Sequence, residues 1–151
     1  MGDDVAKILI VDDEEAIRVL YTYELIEEGY DVITCGDGSR LMEVIKRESP
    51  DLILLDIRLG RYDGLDLLQD VRNTHYDLPV ILCTAYPSFK YDLRSIAADY
   101  YVTKSSNMDE LKCKITMALE GNRALPMPDS LRIAQHAAPG GIEQTNFNRD
   151  V

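Results

Sequence analysis

Short apolar, β-branched runs alternate along the chain with longer segments whose apolar residues recur every three or four positions. Lys7-Ile8-Leu9-Ile10-Val11 is a continuous apolar run, the pattern of a strand buried on both faces of a parallel sheet. Residues 14–28 predict a helix with Ile17, Tyr21 and Leu25 on one stripe, ended by Gly29. Residues 31–35 predict a second strand, and residues 39–48 a helix carrying Leu41, Met42 and Ile45 and stopped by Pro50. A third strand over residues 51–56 is apolar until Asp56. Leu65, Leu68 and Val71 form the next helical stripe, and residues 79–83 a fourth strand opened by Pro79, where proline is tolerated. Phe89, Leu93, Ile96 and Ala97 predict a fourth helix over residues 89–98, and Tyr100-Tyr101-Val102 a short fifth strand. Met108, Leu111, Ile115 and Leu119 mark a last helix, with Asn107 placed to cap it. Five strands alternating with five helices predict an α/β protein with a doubly wound, five-stranded parallel sheet.

The pattern stops after Glu120. Residues 121–151 hold Pro126, Pro128, Pro139, Gly140 and Gly141 and few large apolar side chains, so residues 1–120 are expected to form one domain and residues 121–151 a flexible tail or linker. The chain carries 27 acidic and 16 basic residues, a net charge of −11. The tail's Asp129, Glu143 and Asp150 are balanced by Arg123, Arg132 and Arg149, so the whole excess lies in residues 1–120. That sign argues against direct nucleic-acid binding and against docking on an anionic membrane. No apolar run approaches the ~20 residues of a transmembrane helix, and the acidic start is unlike a secretory signal. Cys35, Cys83 and Cys113 are odd in number and widely spaced, as expected of reduced thiols in a cytoplasmic protein.

In open α/β sheets, chemistry collects at the carboxyl ends of the strands. Here the first strand ends in Asp12-Asp13, the third in Asp56, the fourth in Thr84 and the fifth in Lys104. Any one of these has an ordinary explanation: Asp12 and Asp13 as acids before a helix, Asp56 as a turn residue, Lys104 as a solvated lysine. Together they deliver three carboxylates, a hydroxyl and an ammonium to one edge. Carboxylates so gathered raise one another's pKa unless a cation joins them, and an all-oxygen donor set suits Mg²⁺. Cys83 should point away from Thr84 by strand alternation, which leaves no zinc-type set.

The runs Ile8 to Glu14, Leu52 to Asp56, Asp63-Gly64, Leu78 to Ile81 with Thr84-Ala85, and Tyr101 to Lys104 resemble the receiver domain of two-component response regulators over about residues 5–120. The resemblance implies the flavodoxin-like receiver topology and a phosphoacceptor switch that is not a turnover enzyme. Asp56 would be the phosphoacceptor. Asp13 would bind Mg²⁺ directly, Asp12 through a water, and the Arg58 backbone carbonyl would complete the set. Lys104 would contact the phosphoryl oxygens, Thr84 would hydrogen-bond to them, and Tyr101 would be the switch aromatic. The implied partners are a sensor histidine kinase or phosphotransfer protein, a downstream protein on the face of the fourth and fifth predicted helices and the fifth strand, and a phosphorylation-dependent homodimer. Phe89, Tyr91, Tyr100, Tyr101 and Met108 fall on that face.

The chain departs from the family pattern in three places. Leu59-Gly60 stands where Met-Pro is common, which predicts a more mobile loop. Ser105 follows Lys104 where a cis proline is common, so a trans Lys104-Ser105 bond is expected. Arg58 and Tyr86, two residues beyond Asp56 and Thr84, are bulky at positions that tune phosphoryl loss in the family, which predicts a long-lived phosphoryl group. Competing functions fit less well. A Mg²⁺-dependent phosphatase would need an acid where Arg58 stands, and a flavin carrier would be repelled by Asp12 to Glu15. A receiver cut from a longer regulator or hybrid kinase, and a pseudo-receiver that binds without phosphorylation, remain as alternatives.

Overall fold

Side-chain alternation along the buried strands divides the interior into two apolar layers. The computed structural model describes residues 4–104 and 107–123. In chain order the elements are β1 (Lys7–Val11), α1 (Glu15–Glu27), β2 (Asp31–Cys35), α2 (Leu41–Glu48), β3 (Leu52–Leu55), β4 (Arg58–Leu59), β5 (Tyr62–Asp63), α3 (Gly64–Thr74), β6 (Val80–Thr84), β7 (Tyr100–Thr103) and α4 (Asp109–Arg123). Five parallel strands form one sheet in the order β2-β1-β3-β6-β7. Leu9, Val11, Ile53, Leu55, Val80 and Leu82 face one layer, closed by α2 and α3. Ile8, Ile10, Leu52, Leu54, Ile81 and Cys83 face the other, closed by α1 and α4. The doubly wound parallel sheet expected from the sequence is the one observed, and Cys83 lies on the face opposite Thr84's neighbours Leu82 and Val80, as alternation requires.

The described residues contain four α-helices rather than five. The segment expected to be the fourth helix forms two 3₁₀ turns, Pro87–Tyr91 and Leu93–Ala97. Asp92 between them is extended (φ −76°, ψ 130°), and its carboxylate accepts the Arg94 N–H at 2.9 Å, so the second turn starts afresh. Phe89 and Ala97 still pack on the α2–α3 layer, but Leu93 and Ile96 are 80% and 76% exposed. After Asp56 the chain forms a short antiparallel ladder, Arg58 opposite Asp63 and Leu59 opposite Tyr62, turned by Gly60 at φ +64°. A 3₁₀ turn over Gly38–Arg40 precedes α2. Asn107 accepts the Asp109 N–H through its side chain at 2.8 Å, the cap expected for the last helix. The Lys104-Ser105 bond and residues 124–151 lie outside the described residues.

Arg72 on α3 ties this layer to the strands. Its guanidinium donates to the carbonyls of Ala97 (2.7 Å) and Leu78 (2.6 Å) and to Asp99 Oδ2 (2.9 Å), which also accepts the Val80 N–H at 2.8 Å. Arg72→Ala is expected to lower stability by about 1–3 kcal/mol, because the mostly buried guanidinium satisfies two part-buried carbonyls and the Asp99 carboxylate at once. Arg72→Lys should recover little of it, since an ammonium cannot span the fork. Urea unfolding checks both, and a lysine variant as stable as the wild type contradicts this account.

Candidate phosphoacceptor site

Asp12 follows β1, Asp56 follows β3, Thr84 ends β6 and Lys104 follows β7, so the parallel register brings all four to one edge of the sheet. Backbone bonds hold the two acids in place: Asp12 N–H donates to the Cys35 carbonyl at 3.1 Å and Asp56 N–H to the Val11 carbonyl at 3.0 Å. Asp12, Asp56 and Thr84 are buried, whereas Asp13 is exposed. One carboxylate oxygen from each of Asp12, Asp13 and Asp56 lies within 4.8 Å of the others. Lys104 Nζ sits 2.6 Å from Asp12 Oδ2, 3.2 Å from Asp56 Oδ2 and 3.7 Å from Glu14 Oε1.

The charge in this pocket is under-neutralised. One ammonium faces two nearly buried carboxylates and lies closer to Asp12. Burial therefore dominates at Asp56 and pushes its carboxyl up to about 6; Lys104 opposes that shift and Asp12 adds to it. Burial works against charge on Lys104 as well, but Asp12 and Asp56 outweigh it and raise its pKa. Three oxygen ligands with too little positive charge around them fit a hard divalent cation. Asp12 is the best-tethered of the three. Its Oδ1 accepts the Glu14 N–H at 2.9 Å, and Arg18 from α1 donates to its carbonyl at 2.8 Å. Arg18 was not singled out from the sequence, where it reads as an ordinary exposed helix residue.

The rim is built by two further elements. Gly64, the first residue of α3, lies against the Asp56–Ile57 backbone: its N–H donates to the Ile57 carbonyl at 2.7 Å. A Cβ there would overlap the Asp56 carbonyl oxygen and stand 2.8 Å from Ile57 Cα. On the other side Tyr86 gathers several contacts. Its N–H donates to Thr84 Oγ1 at 3.3 Å, its carbonyl accepts the Tyr101 hydroxyl at 2.7 Å, and its ring lies 4.6 Å below the Arg58 guanidinium carbon. Tyr101 is half-buried against the α2–α3 layer. Of the other aromatic and apolar residues expected on the output face, Tyr91 is exposed and Tyr100 partly buried, but Met108 is buried in the α1–α4 layer and cannot be a surface contact.

A profile of the response regulator receiver domain matches residues 8–116. The chain belongs to the response-regulator receiver family. Among solved structures, the response regulator TrrA of Thermotoga maritima in complex with Mg²⁺-BeF is 42% identical over 76% of this chain and 100% of its own, with a TM-score of 0.74. TrrA in complex with the histidine kinase ThkA is 41% identical over 76% of this chain and 99% of its own, at TM-score 0.73. A CheY-like receiver domain from Methanospirillum hungatei is 30% identical over 80% of this chain and 98% of its own, at TM-score 0.75. This receiver domain therefore shares the overall fold of these relatives. No helix among its described residues is long and apolar enough to cross a membrane.

Because the folded state favours protonated Asp56, its ionisation opposes folding. Stability of the metal-free receiver should fall as pH rises from about 4 to about 6 and stay lowered above that window. Asp56→Asn is expected to stabilise the metal-free protein at pH 7 by about 1–3 kcal/mol and to flatten that pH dependence. Urea unfolding across this range measures it; an asparagine variant no more stable than the wild type contradicts the assignment.

Proposed function

We propose that this receiver domain accepts a phosphoryl group from a phosphohistidine onto Asp56 and thereby switches a protein-interaction surface. The observation that carries the reading is the pair of nearly buried carboxylates, Asp12 and Asp56, bridged by Lys104 at the sheet edge. A carboxylate is a competent nucleophile, and phosphoryl transfer asks the protein chiefly for positioning and charge stabilisation. Asp56 Oδ attacks phosphorus, the phosphorus–nitrogen bond of the donor breaks, and its electron pair leaves with the imidazole. Mg²⁺ held by Asp12, Asp13, Asp56 and the Arg58 carbonyl would supply the positive charge that lets an anionic donor approach. Lys104 stays within reach of the transferred oxygens. The new group adds negative charge where Thr84 can answer it: its hydroxyl turns from the Tyr86 N–H to donate to a phosphoryl oxygen. Tyr86 then loses one of its anchors, and Tyr101, bonded to the Tyr86 carbonyl, is freed to rotate.

The product is a switch state, so the protein is not an enzyme in the turnover sense. Residues 1–120 would form the receiver unit, with residues 121–151 as a tail or linker. A histidine kinase or phosphotransfer protein would be the donor, a reading supported by the relative found in complex with a kinase. The downstream partner, or a second phosphorylated copy, would dock on the face that includes the 87–98 segment, β7 and α4. The chain would act in the cytoplasm, without direct contact to nucleic acid or membrane.

Incubation with Mg²⁺ and acetyl phosphate should add one phosphoryl group to the intact mass, and Asp56→Asn should abolish the addition; a variant that still gains mass overturns the assignment. The bulk of Tyr86, two residues beyond Thr84 and with Arg58 over its ring, would obstruct water approaching Asp56. The phosphoryl group is therefore expected to be long-lived, and Tyr86→Ala should shorten its lifetime by roughly 3–10-fold, in line with the loss of one water-excluding contact. The decay of intact mass after desalting reads this directly. A wild-type half-life of seconds contradicts the shielding role.

A further inference from the structure

We infer that Arg58, with Arg61 beside it, forms an anion-receiving rim at the mouth of the Asp56 pocket and takes the phosphoryl oxygens of the incoming donor. The inference rests on the proposed transfer to Asp56 and adds to it a recognition step.

The pocket presents an electrostatic difficulty to any phosphoryl donor. Its floor holds Asp12 and Asp56, and Asp13 and Glu14 lie at its edge, in a chain of 27 acids and 16 bases. Lys104 is already engaged by Asp12, Asp56 and Glu14. Most of the other arginines are engaged too: Arg40 with Glu43, Arg47 with Glu48, Arg72 with Asp99, Arg94 with Asp63, Asp66 and Asp92, and Arg18 with the Asp12 carbonyl. Arg58 and Arg61 pair with no carboxylate among the described residues. Both sit on the β4–β5 hairpin, which starts two residues after Asp56.

How Arg58 is held matters as much as its charge. Its guanidinium carbon lies 4.6 Å from the Tyr86 ring centre and 5.9 Å from that of Phe89, and the two rings meet edge to face at 6.2 Å. Stacking engages the face of a guanidinium and leaves its edge of N–H donors open. That edge is the part that matches two oxygens of a phosphoryl group. The Gly60 turn sets Arg61 on the same cleft, a depression of about 240 Å³ that Phe89 and Ile57 also line. The cleft's one carboxylate, Asp63, is committed: Oδ1 accepts the Leu65 N–H at 2.8 Å and Oδ2 pairs with Arg94 at 3.2 Å. Asp37 lies within the field of Arg61 but makes no ion pair with it, and its Oδ1 accepts both the N–H and the hydroxyl of Ser39. The two arginines thus offer donors free of ion pairs among the described residues, on the hairpin that directly follows Asp56.

The test uses two small donors, acetyl phosphate and phosphoimidazole, with the phosphorylation rate read by intact mass at low and high salt. Arg58→Ala and Arg58→Gln should each slow both reactions by roughly 10-fold at low salt and flatten the fall in rate with added salt. Arg58→Lys should keep the salt dependence but recover only part of the rate, and Arg61→Ala should give a smaller loss. Arg47→Ala, at the far end of α2, should match the wild type. Independently, titration with inorganic phosphate should shift the Arg58 Nε–Hε NMR signal in the wild type and in Asp56→Asn. Arg58 variants as fast and as salt-dependent as the wild type overturn the inference. An equal loss in Arg47→Ala does so too, because the effect then belongs to net charge, as does an Arg58 signal unmoved by phosphate. A wild-type chain that gains no mass from either donor overturns the proposed transfer itself.

Discussion

A single ammonium, that of Lys104, is shared between two carboxylates that the fold has nearly removed from water. The rest of the site follows from that imbalance. Lys104 lies nearer Asp12 than Asp56, so Asp56 keeps much of its desolvation penalty, and its carboxyl sits well above the ordinary range. A group in that condition gains from any further cation, whether a divalent ion among the three acids or a guanidinium at the rim. The strain is sustainable because the backbone of both acids is fixed by neighbouring strands, Asp12 against Cys35 and Asp56 against Val11. Loss of the parallel register would let the carboxylates relax into solvent, and the pocket would lose the property that makes it reactive.

The route outward from the pocket runs through Tyr86. One residue bonds the hydroxyl of Thr84 through its N–H, the hydroxyl of Tyr101 through its carbonyl, and the Arg58 guanidinium through its ring. Events at the β6 end therefore need not travel far to reach β7 or the hairpin. On the opposite flank the Asp56–Ile57 backbone presses on Gly64 without room for a side chain, and Asp63, one residue earlier, pairs with Arg94 in the second 3₁₀ turn. The 87–98 segment is thus connected to the pocket twice, by packed contacts at Tyr86 and Phe89 and by the ion pairs of Arg94. Tyr91, Leu93 and Ile96 of this segment are exposed, as are Val19, Tyr23 and Ile26 on the outer face of α1.

The amino-acid pattern by itself determined the strand–helix alternation, the doubly wound sheet and the gathering of Asp12, Asp13, Asp56, Thr84 and Lys104 at one edge. Strand ends are legible because a continuous β-branched run stops abruptly at a polar residue, and parallel topology then aligns those stops. Local rules failed where longer-range contacts outweighed them. The helical stripe of Phe89, Leu93, Ile96 and Ala97 does not form a helix, because Asp92 takes the Arg94 N–H and three carboxylates hold the Arg94 side chain in a different path. The positive φ of Gly60 closes the β4–β5 ladder, a hairpin too short to show in the apolar pattern. Only the tertiary structure decided which carboxylate Lys104 favours and that Arg58 stacks on Tyr86, since each joins residues distant in sequence whose separation carries no local periodicity. Charge neutralisation and aromatic stacking are set by distances between elements, and those distances exist only once the sheet has closed.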